Sequence, residues 1–373
     1  MTTKPIGVYV HIPYCVRKCN YCDFCSCGIG RSSVPDAYIK RLKNEIKAYT
    51  GMGLTLDTLY FGGGTPSLLS PSQLEDVLLS LRSVFDFLPN TEFTLEANPG
   101  TVNREKLCDF KSLGLTRLSV GLQSTHKNEL SALGRIHTYE EFLSCYRDAR
   151  SVGIDNINVD LMYGIPHMTL NSFRDTLFRV TDLSPEHLSL YGLILEEGTP
   201  FYAARDTLPL PSDDTECDMY YSAADVLSSR GYMHYEISNY AKAGFESRHN
   251  LKYWRREEYL GFGASAASFF GGRQLTNTAN IGEYVSLDGR SYEAEEAADE
   301  VSFAYEYAML RLRLKEGIFL SDYRERFGTD FLEGRQDTVS RLVRAGLATL
   351  DTDRFALTER GFYVSNSILT EIL

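Results

Sequence analysis

The chain has 373 residues, 43% hydrophobic and 24% charged, with a formal net charge of −12. That composition belongs to an ordinary globular protein and excludes collagenous, disordered and coiled-coil classes. The acidity argues against nucleic-acid binding through the surface as a whole, so no nucleic-acid partner is expected.

In chain order, Gly7–Ile12 reads as a first strand, and the opening MTTKPIGVYVHIPYC as strand rather than signal peptide, because its apolar run is short and broken by Pro13. Asp36–Tyr49 places Ile39, Leu42, Ile46 and Tyr49 on one helical face. Leu56–Phe61 is the next strand and ends in Gly62-Gly63-Gly64. Pro71 opens a helix carrying Leu74, Val77, Leu78, Leu81, Val84 and Phe85, proline being tolerated where its missing N–H has no partner to lose. Further strands are predicted at Glu92–Ala97, Arg117–Leu122, Asn156–Met162 and Leu188–Leu195, separated by helices at Arg104–Ser112, Tyr139–Val152 and Leu170–Thr181.

Six consecutive βα units of this kind build a parallel sheet with helices outside it. The α/β class is therefore expected, either as a partial (β/α)6 TIM-like barrel or as a doubly wound flat sheet. Either way the chemistry belongs at the carboxyl ends of the strands. Polar motifs fall there: Cys15, the GGGTPS turn, Glu96-Ala97-Asn98-Pro99, Gln123 and Asp160.

Beyond residue 200 the pattern changes. Leu208–Asp214 reads as a connector, Asp218–Ser229 as a helix and Met233–Tyr240 as a strand. A polar–aromatic run, SRHNLKYWRREEYLGFGASAAS, follows, and acidic Tyr292–Glu300 marks the last boundary. The domains are accordingly drawn at 1–205, 206–291 and 292–373. No stretch approaches the roughly twenty apolar residues of a membrane-spanning helix. A cytoplasmic location is expected, where thiols stay reduced and clustered cysteines favour metal over disulfides.

Of eight cysteines, Cys15, Cys19, Cys22, Cys25 and Cys27 crowd into one segment, and Cys108, Cys145 and Cys217 are scattered as packed thiols. Cys15, Cys19 and Cys22 form a CxxxCxxC set able to reach one soft metal centre. A zinc knot completed by Cys25 or Cys27 is the alternative. The Gly62-Gly63-Gly64-Thr65-Pro66 turn lacks the Gly-Lys-Ser/Thr of a phosphate loop. Its glycines allow close backbone approach to a ligand.

The spacing of the three cysteines, with Tyr21 between the last two, resembles the radical S-adenosylmethionine signature. The pieces YVHIPYCVRKCNYCDF, YFGGGTPS, EANPGTV, GLQS, GRIHT and NVDLMYGIP occur in order. They resemble the branch of that superfamily containing the oxygen-independent coproporphyrinogen III dehydrogenases and the HemW haem chaperones. The resemblance covers residues 1–290, and the tail from about 300 resembles the branch's C-terminal domain. It implies a 4Fe–4S cluster held by Cys15, Cys19 and Cys22, with one iron open to S-adenosylmethionine. It places Tyr9, Tyr21, Gly63, Gly64, Thr65, Glu96, Gln123, Arg135 and Asp160 around that cofactor, Glu96 near the ribose and Arg135 near the methionine carboxylate.

Within the branch, the dehydrogenases carry a further cysteine two residues after the third, where this chain has Phe24. His249-Asn250-Leu251-Lys252-Tyr253-Trp254 matches the HNxxYW pattern of the haem chaperones, and Trp254 is the one tryptophan. The resemblance makes His249 a haem ligand, with Tyr253 and Trp254 packing on the porphyrin. The leading expectation is a haem chaperone that passes haem, its cargo, to client haemoproteins, membrane-associated respiratory proteins among them, with a homodimer as one form. The alternative is radical oxidative decarboxylation of coproporphyrinogen III in porphyrin biosynthesis. Whether radical chemistry accompanies the chaperone role, and what Cys25 and Cys27 do, the sequence leaves open. Leu347–Leu350 and Phe355–Leu357 form the wing-like pair of a C-terminal winged-helix-like domain, read as a structural cover rather than a DNA reader.

Overall fold

The structure is a computed structural model and describes residues 4–290, 294–296 and 300–373. The expected boundary at 291/292 falls outside the described residues.

Six strands, β1 (Ile6–Ile12), β2 (Thr55–Gly63), β3 (Asp86–Ala97), β4 (Arg117–Gln123), β5 (Asn156–Tyr163) and β6 (His187–Gly192), lie side by side in sequence order, all parallel. Helices α1 (Asp36–Lys47), α2 (Pro71–Arg82), α3 (Arg104–Ser112), α5 (Tyr139–Ser151), α6 (Leu170–Thr181) and α7 (Asp213–Ser229) follow the strands in turn. A doubly wound sheet reverses its strand order at a switch point. No reversal occurs between β1 and β6, so the architecture is the partial barrel.

The helix starts are chemically specified. Ser70, Thr138 and Thr169 each form a capping box with the residue three positions on. Each such cap satisfies two otherwise orphaned N–H groups and is worth about 1 kcal/mol. A short helix α4 (Lys127–Ala132) lies between β4 and α5, unforeseen because six residues carry too little periodicity.

The strands alternate in character. Val8, Val10, Leu59, Phe61, Leu95, Val120, Val159 and Leu188 are fully enclosed in one hydrophobic core. Their neighbours Tyr60, Glu96, Arg117, Asn158, Asp160 and Ser189 line a central cavity. A parallel strand buried on both faces is normally apolar throughout. The polar face therefore marks a lumen built for a ligand rather than for packing.

Two expectations are corrected. The strand predicted to Leu195 stops at Gly192. Met233–Tyr240 is not one strand but a hairpin, β7 (Met233–Glu236) and β8 (Asn239–Ala241), antiparallel and added beside β6. The polar–aromatic run contains helix α8 (Arg248–Trp254) and strand β9 (Tyr259–Phe262), which pairs parallel with β1. Strands β10 (Ala267–Phe270), β11 (Arg273–Thr276) and β12 (Ala294–Glu296) continue antiparallel from β9, giving a single twelve-stranded sheet.

The C-terminal residues form a second hydrophobic core around Tyr307, Leu312, Phe331, Phe355 and Phe362, joined by Tyr220 from α7. Its small sheet has β13 (Ile318–Phe319) and β14 (Ala348–Leu350) flanking β15 (Arg354–Leu357), all antiparallel. It docks through backbone bonds from Ile237 to Arg313 and from Lys315 to Tyr235. Among the described residues no helix is long and apolar enough to cross a membrane.

Candidate functional site

The carboxyl ends of β1 to β6 open onto a cavity of about 400 Å3. Cys15, Cys19, Tyr21, Cys22, Gly63, Gly64, Thr65, Glu96, Gln123, Arg135 and Asp160, expected from separate stretches of sequence, all line it. Tyr9, also expected there, sits beneath the glycine turn: its hydroxyl bonds His11 Nδ1 at 2.9 Å and a Cβ on Gly62 would meet its ring at 2.8 Å.

The cysteine loop is pinned to the strand ends. Cys15 Sγ accepts from Thr65 Oγ1 and Cys19 Sγ from Arg135 Nη1, each at 3.5 Å. Burial pushes the Cys15 and Cys22 thiols up, and the charge of Cys19 adds to this in both. Thiols that repel one another as anions call for a shared cation. Among the described residues no three such side chains converge closely enough for a single metal ion. A zinc knot needs four ligands about 2.3 Å from one ion. The three thiols line the mouth of one cavity and are a soft donor set suited to an iron–sulfur centre.

The Cys25 thiol and the Cys27 backbone are engaged elsewhere. The Cys25 thiol donates to Ala279 O at 3.2 Å and its carbonyl accepts from His11 Nε2 at 2.8 Å. Cys27 is held in a short parallel pairing with Tyr14 and bonds Pro13 O through its backbone at 2.9 Å.

Opposite the thiols lies the glycine turn. Gly63 has φ of +113°, and a Cβ there would meet the His11 ring at 2.6 Å. A Cβ on Gly64 would meet the Tyr14 backbone at 2.8 Å. Neither position admits a side chain, so bare backbone faces the cavity. Glu96 hangs below: it accepts from Tyr60 Oη at 2.8 Å and from Gly63 N at 3.1 Å. Burial, with the nearby Asp160 charge, raises its carboxyl to about 7. Asp160 accepts from Asn158 at 2.7 Å and Ser119 at 3.3 Å. Arg135 donates to Asn98 Oδ1 at 2.5 Å and to Gly121 O, while Asn98 donates to Thr65 Oγ1 at 2.9 Å. Gln123 takes the left-handed backbone conformation, φ +73°, at the end of β4. Such strain in a non-glycine residue clusters at ligand sites.

Asn98, from the Glu96-Ala97-Asn98-Pro99 motif, also lines the cavity, as do Arg117 and Tyr191, which were not expected. Arg117 was readable from the polar alternation along β4, Arg117-Leu118-Ser119-Val120-Gly121. Tyr191 carries no comparable signal.

The HNxxYW segment forms α8, below this cavity. The N–H groups of Arg248 and His249 donate to the Glu92 carboxylate at 3.2 and 3.1 Å. His249 is 1% exposed. Its Nδ1 bonds Thr58 Oγ1 at 2.9 Å, its Nε2 bonds Tyr253 Oη at 2.7 Å, and its ring stacks on Tyr60. Burial holds the imidazole near 3, hence neutral. Both nitrogens are thus hydrogen-bonded within the protein. Tyr253 packs edge-on against Tyr259, and the Arg313 guanidinium lies over the Trp254 ring. Asn250, not His249, reaches the cavity.

A cysteine loop over a glycine turn, at the top of an open parallel barrel, defines the class: residues 9–180 match the Radical SAM superfamily and residues 302–364 the HemN C-terminal domain. The chain is 34% identical to the haem chaperone HemW of Lactococcus lactis, over 100% of this chain and 98% of that one. It is also 34% identical to those of Escherichia coli and Bacillus subtilis, over 98% of this chain and 97% and 99% of theirs. The chain belongs to the HemW haem chaperone family. The solved coproporphyrinogen III oxidase HemN of E. coli superposes with a TM-score of 0.86 over 99% of this chain and 90% of that one, at 23% identity, a likeness of fold. Radical SAM membership implies a 4Fe–4S cluster and S-adenosylmethionine as cofactors, and the thiol set and bare-backbone cradle fit both.

Proposed function

We propose that this protein binds haem and hands it to client haemoproteins in the cytoplasm, with respiratory proteins at the membrane among the recipients and a homodimer as one working form. What carries the reading is the end-to-end similarity to proteins named haem chaperones, which spans barrel, extension and C-terminal unit alike. The likeness to the coproporphyrinogen oxidase is one of fold at 23% identity, so the decarboxylase reading has no comparable support.

In this reading Cys15, Cys19 and Cys22 hold the cluster and the cavity holds S-adenosylmethionine. A cluster held there would supply an electron to a bound sulfonium. The chain's residues do the positioning. Gly63 and Gly64 present backbone polar groups to the amino-acid end of the cofactor. Arg135, already charged and fixed by Asn98, offers its remaining donor capacity to the carboxylate. Glu96 and Asp160 accept from the ribose, and Glu96, titrating near neutrality, does so best when ionised. Tyr21 and Thr65 close the wall beside the thiols.

The test is anaerobic reconstitution followed by parallel haem titration and coproporphyrinogen turnover. Haem binding without protoporphyrinogen formation is the expected outcome. Turnover, or a reconstituted protein that ignores haem, overturns it.

A further inference from the structure

One row of side chains runs from the cofactor cavity to the cap of α8. Strand register sets Ser119 on β4, Asn158 on β5 and His187 on β6 side by side, and Asp160, which lines the cavity, stands two residues along β5 from Asn158. Asn158 and His187 are 2% and 0% exposed. Asn158 Nδ2 lies 2.7 Å from Asp160 Oδ1 and 2.8 Å from Ser119 Oγ, which in turn donates to Asp160 Oδ2 at 3.3 Å. Asn158 Oδ1 lies 2.6 Å from His187 Nδ1, and His187 Nε2 lies 2.7 Å from Tyr235 Oη. Tyr235 Oη accepts from the backbone N–H of Ser247 at 3.2 Å. Ser247 caps α8, accepting through its side chain from Asn250 N.

Chemistry fixes the direction of every bond in this row. Burial raises the Asp160 carboxyl, and the bonds of Asn158 and Ser189 with the Arg117 charge pull it back toward the ionised form. An ionised carboxylate only accepts, so Asn158 turns its NH2 toward Asp160 and its carbonyl oxygen toward His187. That oxygen also only accepts, so the His187 proton sits on Nδ1. Burial, with the Arg117 charge, keeps this imidazole neutral, which leaves Nε2 bare to accept from the Tyr235 hydroxyl. Donation therefore runs one way, from Ser247 through Tyr235, His187 and Asn158 to Asp160, each bond polarising the next. We infer that His187 and Tyr235 are positioning residues that aim Asp160 at the ribose of S-adenosylmethionine, with the α8 cap as the fixed end of the row. The inference rests on the cofactor placement given above and goes beyond it by naming what holds the ribose acceptor. Asn158 and Ser119 each take one position on the carboxylate, which leaves acceptor capacity for a ligand's hydroxyls. With the Asn158 amide pinned from behind, that capacity keeps one direction.

The reconstituted full-length protein is titrated with S-adenosylmethionine and with its 2′-deoxyribose and 3′-deoxyribose analogues. Wild type should bind at least one analogue roughly tenfold or more weakly than the cofactor, the value of a lost charge-assisted bond. Tyr235→Phe, which removes a single oxygen, and His187→Leu should each narrow that ratio toward one. His187→Gln, whose amide offers one donor and one acceptor, should restore it. A wild-type ratio in both Tyr235→Phe and His187→Leu would overturn the inference, even with overall affinity reduced, because an equal loss for all three ligands marks a merely structural role. Wild type that binds all three alike takes Asp160 away from the ribose and overturns it too, leaving the chaperone reading intact. Wild type that binds none of them instead sinks the cofactor placement itself.

Discussion

His234 on β7 donates through Nδ1 to the Glu359 carboxylate at 2.8 Å, bridging the barrel's edge hairpin and the C-terminal unit. Lys315 Nζ reaches the same carboxylate at 2.6 Å and Tyr220 Oη at 2.9 Å. Burial alone would raise the Glu359 pKa, but the bond and charge of His234, then those of Lys315, override it and hold it at about 2.

That depression has a sign. A carboxyl whose folded pKa lies below its ordinary 4.5 contributes stability fully present above 4.5, which is lost as pH falls toward 2. With partial exposure discounted, the contribution is about 2 kcal/mol. Glu359→Gln should therefore melt earlier than wild type at pH 7, and the gap should close as the pH is lowered toward 2. A constant gap across that range would refute the clamp.

Glu96 carries the opposite sign. Its pKa, raised to about 7, gives a contribution fully present below 4.5 and lost as pH rises through 7. The cofactor-free protein should thus lose stability on the order of 2 kcal/mol from this group across that window. Glu96→Gln should flatten that part of the melting-temperature profile. Glu236, buried and also raised to about 7, adds a slope of the same sign that the variant leaves in place.

The cysteines divide by what they touch. Cys15→Ser, Cys19→Ser and Cys22→Ser should each lose most iron and labile sulfide after anaerobic reconstitution. Cys25→Ser and Cys27→Ser, whose partners are Ala279, His11 and Tyr14, should retain wild-type content. Equal loss in all five would mean that the cluster uses a different set.

The His249 environment predicts a stability effect. Thr58→Val leaves Nδ1 of a buried imidazole unpaired, which costs about 1–3 kcal/mol. Thermal melting should fall accordingly; a Thr58→Val variant that melts like wild type would show that the bond to His249 contributes nothing.

The barrel was legible because strong periodicities write themselves into short windows: α3 and α6 appear with the limits expected from spacing alone. The β7–β8 hairpin was read as one strand because its turn, Ile237-Ser238, contains neither glycine nor proline. The β9–β1 pairing joins segments at opposite ends of the barrel sequence, and no local pattern encodes a partner so distant. At the site, contiguous motifs announced the thiols, the glycines and Asn98, whereas Tyr191 acts as a single residue brought in by the fold. The chemistry of a histidine among aromatics was visible. That both its nitrogens were already spoken for depended on Thr58, which only the register of β2 supplies.

The contact between Gly64 and Tyr14 joins two segments fifty residues apart in the chain. Gly64 N also bonds Ile12 O at 2.9 Å, just before Cys15. The thiol loop and the cofactor cradle are thereby riveted together and can shift only as one piece. For inheritance this means that the two motifs share a fate: a side chain at position 64 is felt first at Tyr14, the residue before Cys15, and neither segment can drift while the other stays still.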